Sequence, residues 1–354
     1  MKKILKDLLD ILRRYPVYAR FRRGVKSMMA TCELKPLTGD QKREIRTYYK
    51  STLGKNTKLY WHQFYYSMNG IFSVKYIPND LYFGYIKNKL FDNNICAAYD
   101  DKNLYDKFFP DTRQPKIFLK CVDGHYSIDN LPVGKEEAII HCSNLQEAII
   151  KPTFLSAGGE NVRYFSTANG IEMKSKKTVR EVFDTYGKNF NVQEAIHQHP
   201  ALARLNPTSV NTIRVVTYFR ENEVVLLYAV MRIGEEGSDV DNTTDGGYTC
   251  GIQKDGKLKK YAYGFNPAKS YTSNPAGLTF ENYPLPQYEQ VVAEAKRLHY
   301  QMPHLLMIGW DFTVNDDNEP VFIEMNAPCG LHQSAAGPAF GEYTDEILKK
   351  CSGR

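Results

Sequence analysis

The feature that most constrains this 354-residue chain is a pair of apolar segments at 306–314 and 321–326, separated by a polar turn at 315–320. The pattern predicts an antiparallel β-hairpin. Because side chains alternate along a strand, Glu324 and Asn326 must share one face, and Asp311 on the other strand can join them. Two carboxylates and an amide among apolar neighbours are costly unless their charge is compensated. Hard oxygen ligands of this kind suit Mg²⁺, so the hairpin predicts a magnesium site, with a solvated hairpin face as the alternative.

A second candidate site combines a lysine with two glycines. An apolar strand at 148–152 contains Lys151, and Gly158 and Gly159 follow it in a small-residue turn. Glycines let backbone N–H groups approach an anion closely, and the lysine adds a point charge. The pattern indicates phosphate binding, although ordinary surface loops share it. The alternating segment 191–196 that follows fits either a hinge strand against a flat base or a plain loop and strand.

Two arginines lie on successive strands that the sequence predicts to be buried. Arg214 lies in a predicted strand at 212–219, and Arg232 ends the next one at 224–232. A buried guanidinium needs an anionic partner. That partner is either a transferring phosphoryl group or substrate carboxylate, or an internal aspartate or glutamate.

The remaining pattern predicts an α+β chain. Asp101 is placed as the N-cap of a helix. Further strands are predicted at 116–121, 137–142 and 162–165, and helices at 178–184 and 287–300. The aromatic-rich stretch 60–85 is typical of a hydrophobic core, with a sugar-binding surface as the alternative.

The N-terminal segment carries the basic charge of the chain. Residues 1–30 hold nine lysines and arginines against two aspartates, so this segment contributes +7 to a net charge of +6. The pattern predicts a basic amphipathic helix that breaks near Pro16 and either packs on the protein or lies on an anionic membrane through residues 1–25. The rest of the chain sums to about −1, which argues against a nucleic-acid-binding body.

The cysteine content and the hydropathy of the chain indicate its cellular compartment. Seven scattered cysteines form no CxxC pair, which favours a reducing cytoplasm over disulfides or a zinc site. No apolar run is long enough to span a bilayer, and no secretory leader is evident. Cys329 and His332 follow the hairpin, and we interpret them as a packed thiol and a loop histidine and not as a covalent catalytic pair.

The order of these motifs resembles the ATP-grasp superfamily over residues 101 to about 340. The pieces that carry the resemblance are Asp101-Lys102, Lys151-Pro152, Glu194, Arg214, Arg232, Asn242 with Gly246-Gly247, and Asp311 with Glu324-x-Asn326. A narrower likeness is to sugar-transfer-associated ATP-grasp proteins of bacterial polysaccharide biosynthesis. Its residues are Trp61-His62, Tyr76-Ile77-Pro78, Asp101 through Tyr105, and the run from Gln198-His199-Pro200 to Arg214.

The resemblance implies specific roles for ATP and Mg²⁺ as cofactors. Residues that hold the nucleotide are Lys102, Lys151, Gly158 and Gly159 at the phosphates, Gln193, Glu194 and Ile196 at the adenine, and His199 near the ribose. Residues at the reacting end are Asp311, Glu324 and Asn326 for one or two Mg²⁺ ions, and Arg214, Arg232 and Asn242 for the γ-phosphate or acyl phosphate. D-alanine–D-alanine ligases carry an arginine two residues before the metal aspartate, where this chain has Gly309, so Arg214 or Arg232 must supply that charge.

The implied fold is an ATP-grasp fold, two α+β subdomains that grip ATP, preceded by an N-terminal helical and mixed domain. The expected divisions are a basic helix at 1–30, an aromatic-rich domain at 31–100, a small subdomain at 101–192 and a large subdomain with the metal site at 193–354. The implied activity is a carboxylate–amine ligase acting through an acyl phosphate on small-molecule or sugar-linked substrates, in capsule or O-antigen assembly. The expected location is the cytoplasm or the inner membrane face. A small-molecule kinase and an inactive carbohydrate-binding scaffold are the alternatives.

Overall fold

The computed structural model describes residues 2–154, 161–238, 241, 246–264 and 269–352, and for residues 2–14 it gives the helix backbone alone. The chain has a mixed α+β architecture, with helices first and two antiparallel sheets after them. None of the described helices is both long and apolar enough to cross a membrane.

The first hundred residues are helical. The helices are α1 (Lys2–Met29), α2 (Gly39–Thr52), α3 (Tyr60–Asn69), α4 (Asn79–Leu81), α5 (Lys87–Leu90) and α6 (Asn93–Ala98), with a π-helical turn at Tyr82–Ile86. The predicted break near Pro16 is wrong, because α1 continues through it to Met29. Proline weakens a helix interior, but the second half of α1 is held by packing, with Val25 fully buried.

The aromatic stretch forms a core. Trp61, Phe64 and Tyr65 of α3 pack with Tyr76 and Val25, and each of these side chains is at most 3% exposed. The rings of Tyr65 and Tyr76 stack at 5.0 Å between centroids. The core interpretation of this region is therefore confirmed for these residues.

The first sheet has six strands in the order β3-β2-β1-β8-β4-β5. They are β1 (Ile117–Val122), β2 (His125–Ile128), β3 (Leu131–Val133), β4 (Ala148–Pro152), β5 (Arg163–Tyr164) and β8 (Phe190–Glu194), and a small separate hairpin is formed by β6 (Thr167–Ala168) and β7 (Ile171–Glu172). Two helices, α8 (Lys135–His141) and α9 (Val179–Tyr186), contribute Ala138, Val182 and Phe183 to its core. Before it, Asp101 caps a short 3₁₀ turn at Lys102–Leu104, as predicted, and α7 (Tyr105–Phe108) follows.

The strand predicted at 137–142 is wrong, since this segment forms α8. A short apolar run such as Ala138 to Ile140 does not distinguish a strand from a helix by periodicity. Glu136 and Glu137 lie in the first turn, where acidic groups favour a helix N-terminus. Glu136 also pairs with Arg180 of α9, which ties the two helices together.

The second sheet has seven strands in the order β13-β12-β11-β10-β9-β14-β15. They are β9 (Thr212–Arg220), β10 (Glu223–Ile233), β11 (Tyr248–Ile252), β12 (Leu258–Gly264), β13 (Ser270–Tyr271), β14 (Met307–Val314) and β15 (Pro320–Asn326). The helices around it are α10 (Pro200–Ala203), α11 (Tyr288–Tyr300), α12 (Gln333–Ala336) and α13 (Thr344–Ser352). The predicted hairpin is confirmed, with β14 and β15 antiparallel and Asp311 opposite Glu324.

The N-terminal helices and the second sheet share one hydrophobic core that includes Tyr49, Ile77, Val215 and Trp310. Buried hydrogen bonds reinforce this contact: the Gln333 amide donates to the Ile77 carbonyl at 2.7 Å and accepts from the Ile77 N–H at 2.9 Å. The segment after the hairpin is therefore fixed between the helices and the sheet.

Replacing Gln333 with leucine is expected to lower the free energy of unfolding by about 2–4 kcal/mol, because it leaves two buried backbone groups of Ile77 without partners. Urea denaturation followed by circular dichroism measures the change. The same substitution at the exposed Gln301 is the control and should leave stability near that of the wild type. Equal stability of both variants would contradict the assignment of these bonds.

Candidate active site

A row of polar side chains crosses one face of the second sheet. Residues directly opposite each other on paired strands place their side chains on the same face. By this register the row comprises Arg232 opposite Thr212, Arg214 opposite Asp311, and Asp311 opposite Glu324. Thr212 and Arg214 are two residues apart on β9, so both parts of the row face the same way.

Asp311 is the centre of the row. Its Oδ1 accepts from Arg214 Nε at 2.6 Å, and its Oδ2 accepts from Arg214 Nη2 and, at 2.9 Å, from Arg232 Nη1. Burial opposes ionisation of this carboxyl, which is 1% exposed, but the two guanidiniums outweigh it and lower its pKa. Arg232 also pairs with Asp241 at 3.0 Å, and the Thr212 hydroxyl donates to the same carboxylate. The structure therefore shows the internal-partner alternative for the two arginines.

The three predicted magnesium ligands lie together. The Asn326 amide nitrogen is 3.3 Å from Glu324 Oε1 and 3.5 Å from Asp311 Oδ2. Among the residues described, no group of three or more His, Cys, Asp or Glu side chains converges, so the set is two carboxylates and one amide. Glu324 is partly exposed, at 26% of its side chain. Such a set fits Mg²⁺, which takes its other ligands from water and phosphate oxygens.

Two lysines lie near this group, Lys151 on β4 of the first sheet and Lys102 in the 3₁₀ turn that precedes the sheet. Lys102 Nζ lies 3.6 Å from Glu324 Oε2, and the Lys102 backbone N–H donates to the Thr153 carbonyl beside β4. Lys151 of β4 is 7% exposed, and among the described residues no carboxylate lies within ion-pair distance of its ammonium. Burial first and Lys102 second lower the pKa of Lys151 to about 8, against an opposing effect of Glu324. A buried, unpaired ammonium is unfavourable unless an anion binds beside it.

The charges of the site favour a polyanion. Lys102, Lys151, Arg214 and Arg232 bring four positive charges, and Asp241, Asp311 and Glu324 bring three negative ones, which leaves +1. A divalent cation on the hairpin raises the sum to +3. This is the balance expected of a cleft that holds a triphosphate.

A comparison with protein-family models identifies the chain. Residues 86–340, which include both sheets and every residue of the site, match the model described as sugar-transfer associated ATP-grasp. The chain belongs to this ATP-grasp family. Its α+β fold is accordingly the ATP-grasp fold, with an N-terminal helical region before it.

Solved structures similar to this ATP-grasp chain were also found. An ATP-grasp ligase PsnB, complexed with precursor peptide and AMPPNP, is 14% identical, with a TM-score of 0.39 over 73% of this chain and 61% of that one. D-alanine–D-alanine ligase from Bacillus anthracis, complexed with ATP, is 12% identical, with a TM-score of 0.38 over 73% and 63%. L-amino acid ligase from Bacillus licheniformis is 12% identical, with a TM-score of 0.38 over 72% and 48%. The chain thus spans about three fifths or less of these proteins. A comparison with curated proteins finds no match.

Not every residue that the resemblance singled out can be placed in the ATP-grasp chain. Gly158, Gly159 and Asn242 lie outside the described residues.

The residues predicted around the adenine and ribose lie in and after β8. Gln193 is buried, and Ile196 is half-buried beyond the end of the strand. The Glu194 carboxylate is already engaged, since it accepts from Arg113 at 3.2 Å and from the Lys116 backbone N–H at 3.0 Å. His199 Nδ1 accepts from the Ala201 N–H and caps α10. Their roles toward a nucleotide stay predictions, and the side chains of Glu194 and His199 have structural contacts of their own.

Gly309 packs closely against Cys329. A Cβ at this position would lie 2.9 Å from Cys329 Cβ and 3.8 Å from Arg214 Cδ. A side chain at position 309 would therefore require Cys329 to shift, whereas Arg214 lies at ordinary contact distance. Whether Arg214 or Arg232 supplies the charge at the acyl phosphate stays a prediction.

Some residues of the site were missed from the sequence. Asp241 forms an ion pair with Arg232. It directly precedes Asn242 in the segment that carried the resemblance, and this position in the sequence could have indicated that it belongs to the site. Thr249 of β11 lies opposite Arg232 and extends the polar row, which only the strand register reveals. Cys329 is 1% exposed, and burial raises the pKa of its thiol to about 12, as expected of a packed cysteine.

Proposed function

We propose that the chain is an ATP- and Mg²⁺-dependent carboxylate–amine ligase that works through an acyl phosphate. The observation that carries the proposal is Lys151, a buried ammonium with no ion-pair partner among the described residues, facing a second lysine and an acidic hairpin. A nucleoside triphosphate supplies an anionic partner for this ammonium. The hairpin of hard oxygen donors beside it suits the accompanying metal ion.

Each group of side chains has a separate task in this proposal. Lys102, from the 3₁₀ turn, and Lys151, from β4, hold the phosphates as point charges. Glu324, Asn326 and Asp311 hold Mg²⁺, which when bound neutralises charge on the transferring phosphoryl group. Arg214 and Arg232 sit fixed by Asp311, so they stabilise the anionic carboxylate and the tetrahedral oxyanion without having to reorganise. The amine then displaces phosphate from the acyl group.

The identity of the substrates is a further part of our proposal. The family description associates these proteins with sugar transfer, which supports a sugar carboxylate, such as a uronic acid, or an amino sugar joined to an amino acid. Assembly of a cell-surface polysaccharide is a setting that uses such a product, in the cytoplasm or at the inner face of the membrane. Contact with an anionic membrane through residues 1–25 stays a prediction, and Phe21 and Val25 of that stretch are already packed on α3.

Product analysis tests the proposal. Purified protein is incubated with ATP, Mg²⁺, pooled amino acids and uronic or amino sugars, and ADP, phosphate and new masses are followed. We expect ADP and phosphate release that requires both substrates, and a product lighter than their sum by one water. ADP formation with a phosphorylated sugar would replace the ligase by a kinase. No nucleotide turnover and no Mg·ATP binding would leave an inactive carbohydrate-binding scaffold.

A further inference from the structure

A cavity of about 280 Å³ lies between the N-terminal helices and the second sheet. One wall is aromatic and apolar, formed by Trp61, Phe64 and Tyr65 of α3 with Met28 of α1. Its lining also includes Thr249 of β11 and the segment from Leu331 to Ala335. The cavity is thus lined by parts of the chain that are far apart in sequence.

Three side chains around this cavity each have a buried polar atom that makes no hydrogen bond to any residue the structure describes. They are Trp61 Nε1, Thr249 Oγ1 and His332 Nε2. Trp61 and Thr249 are 2% and 4% exposed, so solvent does not satisfy these groups. A buried donor or acceptor left unpaired costs about 1–3 kcal/mol. Three such atoms around one cavity indicate a ligand that brings hydrogen-bonding groups of its own.

The cavity adjoins the reacting end of the site. Thr249 lies directly opposite Arg232, so their side chains share a face of the sheet. His332 is close enough to the arginines that, after burial, the charges of Arg214 and Arg232 help to lower its pKa to about 3. His332 is therefore neutral and offers one donor and one acceptor nitrogen.

The chemistry of the lining selects the class of ligand. No aspartate, glutamate, lysine or arginine is among the residues described around the cavity, so the ammonium and carboxylate of a free amino acid would have no partners there. A sugar ring has C–H groups on its faces and hydroxyl groups around its rim, and needs an apolar wall together with several polar groups. At about 280 Å³ the cavity is at the small end of ligand pockets, which fits one ring and not an oligosaccharide.

We propose that this cavity binds the uncharged ring of a single sugar residue, with Trp61, Thr249 and His332 as hydrogen-bonding partners, and directs its carboxyl substituent toward Arg214 and Arg232. The proposal rests on the proposed function, because it assigns the sugar substrate of that same site. It makes the N-terminal helices part of the binding site, and Thr249 a specificity-determining residue.

Binding of defined sugars to the full-length protein tests the assignment. The probes are glucuronic acid, galacturonic acid and the uncharged methyl glycosides of glucose and galactose, followed by saturation-transfer NMR titration. In Thr249→Val, which removes the hydroxyl at nearly constant shape, we expect affinity to fall about three- to tenfold. Thr249→Ser restores the hydroxyl and should bind as the wild type does, and Trp61→Phe should weaken binding as Thr249→Val does.

A stability measurement separates ligand binding from a structural role. Because no described residue is a hydrogen-bond partner of the Thr249 hydroxyl, ligand-free Thr249→Val should melt at or above the wild-type temperature. Failure of every probe to bind the wild type, or equal binding by Thr249→Val and the wild type, would overturn the assignment. Binding of Mg·AMPPNP by the wild type is measured separately, and its absence contradicts the proposed function without altering the sugar result.

Discussion

Replacing Asp311 with asparagine is expected to reduce ADP formation to below about 1% of wild type and to lower the free energy of unfolding by about 3–5 kcal/mol. Asp311 is buried and accepts hydrogen bonds from both Arg214 and Arg232. An amide in its place leaves two buried guanidiniums without their shared counter-charge, which costs far more than an exposed pair. The substitution also removes a hard oxygen ligand from the hairpin.

Coupled ADP detection and urea denaturation measure the two effects. Asp255→Asn is the matched control, because Asp255 is exposed and pairs with the exposed Lys257. That variant should match the wild type in both activity and stability. Retained ADP formation in Asp311→Asn would remove Asp311 from the site, and unchanged stability would contradict the central position of its carboxylate.

Replacing Lys151 with methionine is expected to have opposite effects on stability and on nucleotide affinity. The pKa of Lys151 is lowered from 10.5 to about 8, which corresponds to a folding cost on the order of 3 kcal/mol for its charged form near pH 7. Methionine fills a similar volume without a charge, so the ligand-free protein should become more stable. Mg·ATP affinity should fall by roughly 10- to 100-fold, because a charge-assisted phosphate contact is lost.

The pH dependence of stability is a separate test of whether the Lys151 charge destabilises the folded protein. Between about pH 8 and 10.5 the unfolded chain keeps a proton that Lys151 has released in the folded protein. The Lys151 contribution to stability therefore rises with pH across this window, and the advantage of Lys151→Met shrinks. Calorimetric melting of both proteins from pH 7 to 10 measures it, with exposed Lys254→Met as control. A variant that is less stable than the wild type at pH 7 would show that Lys151 has an internal partner.

The arrangement of the hairpin side chains in the site could be predicted from the sequence. Alternation along 321–326 was enough to place Glu324 and Asn326 on one face with Asp311, and the structure has this arrangement. Such a pattern is short-range, so it survives without knowledge of the tertiary fold. The segment 191–196 overlaps β8, which ends at Glu194, and its role as a hinge stays a prediction.

Long-range pairing could not be predicted in the same way. The bond from Arg214 to Asp311 joins residues 97 positions apart and depends on β9 lying beside β14. The strand predicted at 137–142 is a helix because its partner is α9, and α1 continues past Pro16 because α3 holds its second half. The partition at 1–30, 31–100, 101–192 and 193–354 stays a prediction, and residues of 31–100 share a core with the second sheet.

Isothermal titration of the full-length protein with AMPPNP, with and without Mg²⁺, tests the central claim most directly. We expect binding that strengthens with Mg²⁺, takes up protons near pH 8.5 as the phosphates restore the charge of Lys151, and is weakened in both Lys151→Met and Asp311→Asn. No binding by the wild type, or equal affinity in the wild type and both variants, would contradict the assignment of this cleft as a Mg·ATP site.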